Sequence, residues 1–429
     1  MVRSAILLLS LAAAASPLPA QTNLASGSPD AVFAGLPFQT WLTQTEQAHL
    51  HWNVRVSDVE LTNYQRLSTR IEIEIQGSDL AKRRGDGQFL MLTEFTGQRG
   101  DVWQYHASLN LASVPRQIKG ADAFYGQSFF LLPGDYRIAV AVYDSATGEH
   151  SVVKRRLHVS PLRNDPLPEA WNGLPAVEAI ADEAPPNNWY LPFSGRLRLA
   201  VEPQHPVEVD LVVNLTPSER LSGSSGALDR NLSFLLPIFK VISQVDWRNT
   251  EFNVSLVDLA HHRVAFQQDH VRRIEWRRAR RSLEEINPGI VDVRSLAQRA
   301  HNAEFFLTEI GRRIREPRDS QPRVVIVLSG PVEFQSGQEL NPIDLAPRPD
   351  FKVYYLRYQE PPPAVVLGRP IGRQGWAQTK RLPQRQAFRP ELDQLEPLLK
   401  PVDPRLYDLT SPEQVRRALA GMMADIAKM

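Results

Sequence analysis

The stretch Val207-Glu208-Val209-Asp210-Leu211-Val212-Val213 constrains this chain more than any other. It opens with alternation and closes in an unbroken apolar run, the pattern of a strand covered on both faces in the middle of a parallel sheet. It stops at a polar segment in which Asn214, Thr216 and Ser218 stand two apart. Open α/β sheets carry their ligand loops at the carboxyl ends of such strands. The search for function therefore begins at Asn214.

At 429 residues the chain is too long for one ordinary domain. Its 42% hydrophobic content supports real cores, and a net charge of +1 gives no global field toward nucleic acid. The 34 prolines point to loops, edges and linkers rather than a helical bundle. Arg3, the apolar run Ala5 to Ala15 and the small-residue stop at Ala20 read as a cleaved signal peptide, residues 1–20. The run is too short for a bilayer core, which needs roughly 20 residues, and no later stretch approaches that length. The mature chain is thus expected to be secreted or periplasmic, with peripheral envelope association still open. It has no cysteine, which excludes disulfides, thiolate metal sites and a cysteine nucleophile.

Residues 21–45, rich in Ser, Gly, Pro and Ala, read as a flexible spacer. From 46 to 160 the period is two: His51 to Val56, Arg70 to Ile75, Gln88 to Phe95, Val102 to Leu111 and Gln127 to Leu131 are predicted strands. Leu132-Pro133-Gly134-Asp135-Tyr136 turns into a further strand whose early tyrosine resembles the tyrosine corner of immunoglobulin-like sandwiches. Asp144 to Gly148 closes a hairpin onto Ser151 to Val159. An all-β immunoglobulin-like sandwich is expected here. Residues 161–195 follow as a proline-rich linker, and Arg196 to Val201 as an entry strand.

The second domain, 196–359, alternates strands and helices. Leu232, Leu235, Phe239 and Ile242 mark one face of a helix that contains Pro237, where a kink is expected. Phe252 to Val257 with Arg263 to Gln267 forms a hairpin, and Leu296 to Ile314 a second helix. Arg323 to Leu328 and Phe351 to Leu356 are further buried strands. This predicts an open α/β sheet of Rossmann-like character. In the extension 360–429, Ser411-Pro412-Glu413-Gln414 starts a capped helix.

The order from Val207 to Tyr358 resembles a von Willebrand factor type A domain of the divergent kind in secreted bacterial proteins. In that family Asp-x-Ser-x-Ser, a loop threonine and a later aspartate hold Mg²⁺ in an adhesion site. Here Asn214, Thr216 and Ser218 fill the first places, Asn287 to Val291 has no threonine, and Ser329 replaces the aspartate. The resemblance therefore implies a degenerate site. Mg²⁺ needs an anionic oxygen to offset its dehydration, so no metal and no cofactor is expected. Asp292 and Glu333 are the carboxylates that could restore one. The polar segment is either a self-bonded turn or a partner-binding surface.

No His-Glu-x-x-His, Gly-x-Ser-x-Gly or phosphate loop is present. His261-His262 is expected at a solvated hairpin tip. Arg272, Arg273, Arg277, Arg278, Arg280 and Arg281 form either a solvated face balanced by acids such as Glu275 and Glu284 or a docking patch for an acidic protein or anionic membrane. The leading expectation is a non-catalytic, exported interaction protein that binds a protein partner and no nucleic acid. A metal-dependent adhesin with a rearranged site is the alternative, and a cell-envelope hydrolase the third.

Overall fold

A computed structural model describes residues 34–43, 50–83, 87–114, 122–180, 194–216, 227–286, 298–315, 322–334, 340–343, 351–358 and 393–429. The chain is a β-rich, multi-domain protein of two compact units, Met1–Arg198 and Leu199–Met429.

The first unit holds helix α1 (Phe38–Trp41), strands β1 (Trp52–Val56), β2 (Glu60–Leu61) and β3 (Leu67–Gln76), and helix α2 (Gly77–Lys82). Strands β4 (Gln88–Gly97), β5 (Val102–Asn110), β6 (Asp122–Leu131), β7 (Gly134–Asp144), β8 (His150–Val159) and β9 (Val177–Ile180) follow. They form two antiparallel sheets, β1-β3-β6-β9 with β2 beside β3, and β5-β4-β7-β8. Alternation explains the layering. Ile71, Ile73 and Ile75 of one sheet and Phe89, Met91, Ile138 and Val140 of the other share one core. Phe95 and Phe129 meet edge-on across it, centroids 4.8 Å apart.

Tyr136 does what its position promised. Its ring is buried and its hydroxyl donates to Leu132 O at 2.9 Å and to Ala176 O at 3.2 Å. The second acceptor lies in the expected linker, which is not a bare connector. Its β9 pairs with β6, all four residues buried. Glu178 there forms an ion pair with Arg66, and accepts from Ser194 Oγ at 2.8 Å and Gly195 N at 2.9 Å. Four apolar-patterned residues amid prolines are too short a run to show a period. The spacer is corrected likewise at α1. Phe38 and Trp41 are buried against Leu92, Ala139 and Ala141 on the outer face of the second sheet, and Trp41 stacks on Tyr143 and His150.

The second unit opens with β10 (Ala200–Val201), all that forms of the expected entry strand, then β11 (Val207–Asn214), helix α3 (Ala227–Ile242) and β12 (Asp246–Trp247). There follow β13 (Thr250–Asp258), β14 (Arg263–Gln268), helices α4 (Trp276–Glu284) and α5 (Asn302–Arg315), β15 (Arg323–Ser329) and β16 (Phe351–Tyr358). Helix α6 (Leu395–Leu399), β17 (Arg405–Leu409) and helix α7 (Pro412–Ile426) complete it. A short parallel pair joins β10 to β12, and the main sheet runs β14-β13-β11-β15-β16-β17. Every strand of the main sheet is parallel to its neighbour except β14, which returns from β13 as a hairpin. The extension expected from 360 onward is therefore integral, because β17 is a strand of this sheet.

All eight residues of β11 are buried. Val212, Val325, Val327, Val353 and Tyr355 point to one face and pack on Ala303, Phe306 and Ile310 of α5. Val209, Leu211, Val213, Ile326 and Leu356 point to the other and are equally buried. Pro237 lies inside α3, and α7 begins as expected, with Ser411 Oγ accepting from Gln414 N at 3.3 Å. Among the described residues no helix is long and apolar enough to cross a membrane.

Tyr136→Phe keeps the ring but drops the hydroxyl and its bond to Leu132 O, while Ala176 O keeps the Leu132 amide as a donor. Urea unfolding should show a loss of about 1–2 kcal/mol, while Tyr143→Phe, which keeps the stack on Trp41, should move the midpoint little.

Candidate functional site

The connection leaving β11 runs to β13 on one side of the sheet, and β15 leads to β16 on the other. The gap between the carboxyl ends of β11 and β15 is thus the topological switch point, where open sheets bind ligands. Asn214 and Ser329 end these two strands, both buried. Asn214 Nδ2 donates to Ser329 Oγ at 3.0 Å, and the Ser329 hydroxyl donates to Gly330 O at 2.8 Å. Asn214 Oδ1 accepts from Thr216 N at 3.0 Å, and Thr216 Oγ1 accepts from Ala260 N at 3.1 Å. From α3, Asn231 donates to Leu215 O at 2.8 Å and accepts from the Tyr358 hydroxyl at 2.5 Å.

The three predicted positions that are described, Asn214, Thr216 and Ser329, do come together. Their polar atoms are turned on one another and on backbone. Ser329 is given no base, since its proton goes to a carbonyl and its oxygen takes an amide donor. Ser218, Asp292 and the segment 287–291 lie outside the described residues. Glu333 is half-buried on the segment after β15. Among the described residues no group of three or more His, Asp or Glu side chains is placed to hold a metal ion.

The same row of the sheet continues through residues that sequence reasoning missed. Ser329 is in register with Arg357 and Arg357 with Asp408. Arg357 is buried and donates to Asp408 at 2.8 Å, Asp393 at 2.9 Å and Glu396 at 2.8 Å. Burial alone would lower its pKa, but Asp408 and Asp393 outweigh that and hold it above its ordinary value. The other Asp393 oxygen accepts from Val332 N and Leu395 N, and the Tyr355 hydroxyl donates to Oδ2 at 2.9 Å. Burial, then the Asp393 charge, pushes Tyr355 well above the usual phenol range. The available signal was Arg357 near the end of a largely apolar strand whose other charge, Lys352, lies at its start.

At the amino ends of the same strands lies a second charged layer. Glu208 and Asp210, which alternation had marked as polar, are buried. Arg323 pairs with Glu208, and Arg313 of α5 donates to Asp210 Oδ1 at 3.2 Å, Asp269 at 2.8 Å and Ser255 at 2.7 Å. Asn253 donates to Glu208 and Asp210 at 2.8 and 3.1 Å. Asp210 Oδ2 accepts no hydrogen bond, and Arg323 Nε stands 3.8 Å from it. Burial raises the Asp210 pKa, Arg313 opposes it and Glu208 adds to it, leaving it at about 6.

His261 and His262 sit at the β13–β14 hairpin tip, His261 Nδ1 at 2.7 Å from Asp258 and His262 against the Phe305 ring. Arg272, Arg273, Arg277, Arg278 and Arg281 are exposed and Arg280 half-buried, along and just before α4.

No protein-family model and no curated protein matches the chain. Among solved structures it is similar to a mutant of the PilB minor pilin from Streptococcus sanguinis, at 8% identity over 78% of this chain and 87% of that one, TM-score 0.25. A putative ApaA protein from Bordetella pertussis is 14% identical over 27% of this chain and 97% of that one, TM-score 0.18. At such scores neither likeness bears on fold or function.

Asp210 yields a pH prediction. Its folded pKa, about 6, lies above the model-compound value of 3.8, so the folded state holds this proton more tightly than the unfolded one. Its contribution to stability is whole below pH 3.8 and is lost as pH rises through about 6, a difference of about 3 kcal/mol. Asp210→Asn keeps an acceptor for Arg313 and abolishes the titration. Chemical unfolding from pH 4 to 7 should show wild type losing stability relative to the variant by about that amount. Parallel curves would remove Asp210 as the cause.

Proposed function

We propose that the chain is an exported, non-catalytic interaction protein. In this reading an immunoglobulin-like sandwich precedes a von Willebrand A-like domain that binds a protein partner without metal. The partner meets the loops at the carboxyl ends of β11 and β15. The observation that carries it is the Asn214 to Ser329 hydrogen bond at the switch point. A metal site there would present oxygen acceptors to a cation. Asn214 instead offers an N–H, so the amide supplies the positive partner that Ser329 Oγ needs. Among the described residues the row satisfies its own donors and acceptors, and no base stands beside Ser329 Oγ to make it a nucleophile. What remains for the rim is to shape loops for a partner, which is common for loops on a rigid scaffold. Export rests on Arg3, the Ala5 to Ala15 run and Ala20.

Two measurements test this. Thermal unfolding of the mature chain should be unmoved by Mg²⁺, Mn²⁺ or chelator, whereas a saturable rise would make the adhesin the working reading. Asn214→Asp turns the donor into a buried carboxylate facing Ser329 Oγ and should lose about 2–3 kcal/mol, with no recovery in Mg²⁺. A photocrosslinker at Pro331, on the rim, should give a discrete protein adduct in the envelope, and one at His205, at the opposite end of β11, should not. Identical adducts from both positions, or none, would sink the interaction reading.

A further inference from the structure

The arginines of α4 and its approach divide into two sets. Arg278 donates to Glu275 at 3.5 Å and Arg280 to Glu284 at 2.9 Å, so both are neutralised on their own helix. Arg272, Arg273, Arg277 and Arg281 are exposed and, among the described residues, have no ion-pair partner. Arg277 and Arg281 are four apart, one helical turn or about 6 Å, so the two unpaired guanidiniums share a face.

This arrangement works against the helix that carries it. Arg277 and Arg278 occupy the first turn, which holds no acid, and so face the positive end of the dipole. Arg277 and Arg281 repel each other as like charges one turn apart. The helix is nevertheless held, because Ala279 and Leu283 are buried beneath it and Trp276 lies 5.1 Å from Phe239 of α3. Its apolar side is spent inward, which leaves nothing to insert into a bilayer, as a membrane-surface helix would. Acids are interspersed, with Glu275, Glu284 and Glu285 on or beside the same helix. They oppose a flat anionic surface, which must meet the whole face at once, but not a narrow acidic polypeptide, which can follow the unpaired positions.

We infer that Arg272, Arg273, Arg277 and Arg281 form a docking surface for an acidic polypeptide segment, whose carboxylates complete the ion pairs that this helix lacks. Each guanidinium offers a planar fork that matches a carboxylate. The surface starts after β14, at the amino ends of the parallel strands, so it is separate from the rim at Asn214 and either can fail alone.

The test uses the full chain and a fluorescent poly-glutamate peptide, read by anisotropy at low and moderate salt. Arg277→Gln with Arg281→Gln removes two charges from the unpaired set. Arg278→Gln with Arg280→Gln removes the same two charges from the paired set. The first double variant should weaken binding about five-fold or more, and the second less than about two-fold. Circular dichroism melting of each variant separates loss of binding from loss of fold. Equal weakening by both pairs would mean that only net charge is read, and overturns the proposal. So would tighter, equally variant-sensitive binding to phosphatidylglycerol vesicles than to the peptide, which would assign the surface to a membrane.

Discussion

Two carboxylates buried inside the central strand set the terms for the second unit. Glu208 and Asp210 are buried in β11, and a buried charge persists only if it is paired and hydrogen-bonded. Arg323 comes from the neighbouring β15 and Arg313 from α5, so the strand, its neighbour and the covering helix are tied at one point. Such a layer contributes less to net stability than to choice among alternatives. Slipping β15 by one residue, or turning α5, would leave a charge uncompensated, an error of about 3–5 kcal/mol. Hydrophobic contacts among valines and isoleucines penalise such shifts far less, because one branched apolar side chain substitutes for another.

That register has its consequence at the other end. Glu208 lies beside Arg323 and, six residues on, Asn214 is hydrogen-bonded to Ser329. The ionic layer at the amino ends therefore fixes which groups meet at the carboxyl ends. It also explains how β11 and β15 can end in two neutral side chains, Asn214 and Ser329. The parallel strands need no ion at the switch point to hold them in line, since the alignment is already determined about 20 Å away along the strand, at about 3.3 Å per residue.

The doubly buried strands β11, β15 and β16, the Tyr136 tie and the Ser411 cap were legible because each is a local pattern: a run, a turn followed by a tyrosine, a capped start. The charged layer was not. Val-Glu-Val-Asp reads the same whether its acids face water or the interior, and only Arg313 and Arg323, more than 100 residues away, turn them inward. Among the elements missed, α1, β9 and β17 are four or five residues long and lie in proline-rich or small-residue surroundings where no period can develop, whereas the nine-residue α4 was hidden by its arginines, which leave only Ala279 and Leu283 to mark a buried face. At the site, the approach of Asn214 to Ser329 was implied by the family resemblance. The direction of their hydrogen bond follows from Thr216 N donating to the Asn214 amide oxygen.

Arg357 shows how the sheet accommodates a long insertion beside that rim. The chain leaves β16 at Tyr358 and returns at Asp393, with 34 residues between them. Bringing the ends of such a segment together costs on the order of 3 kcal/mol in chain entropy, and each doubling of its length would add only about 0.6. What holds the ends must exceed that modest figure. Arg357 reaches Asp393 and Glu396 on the returning chain and Asp408 on β17, and the buried Asp393 also takes Val332 N, Leu395 N and the Tyr355 hydroxyl. One guanidinium thus fastens the strand before the insertion, the segment after it and the edge strand beyond.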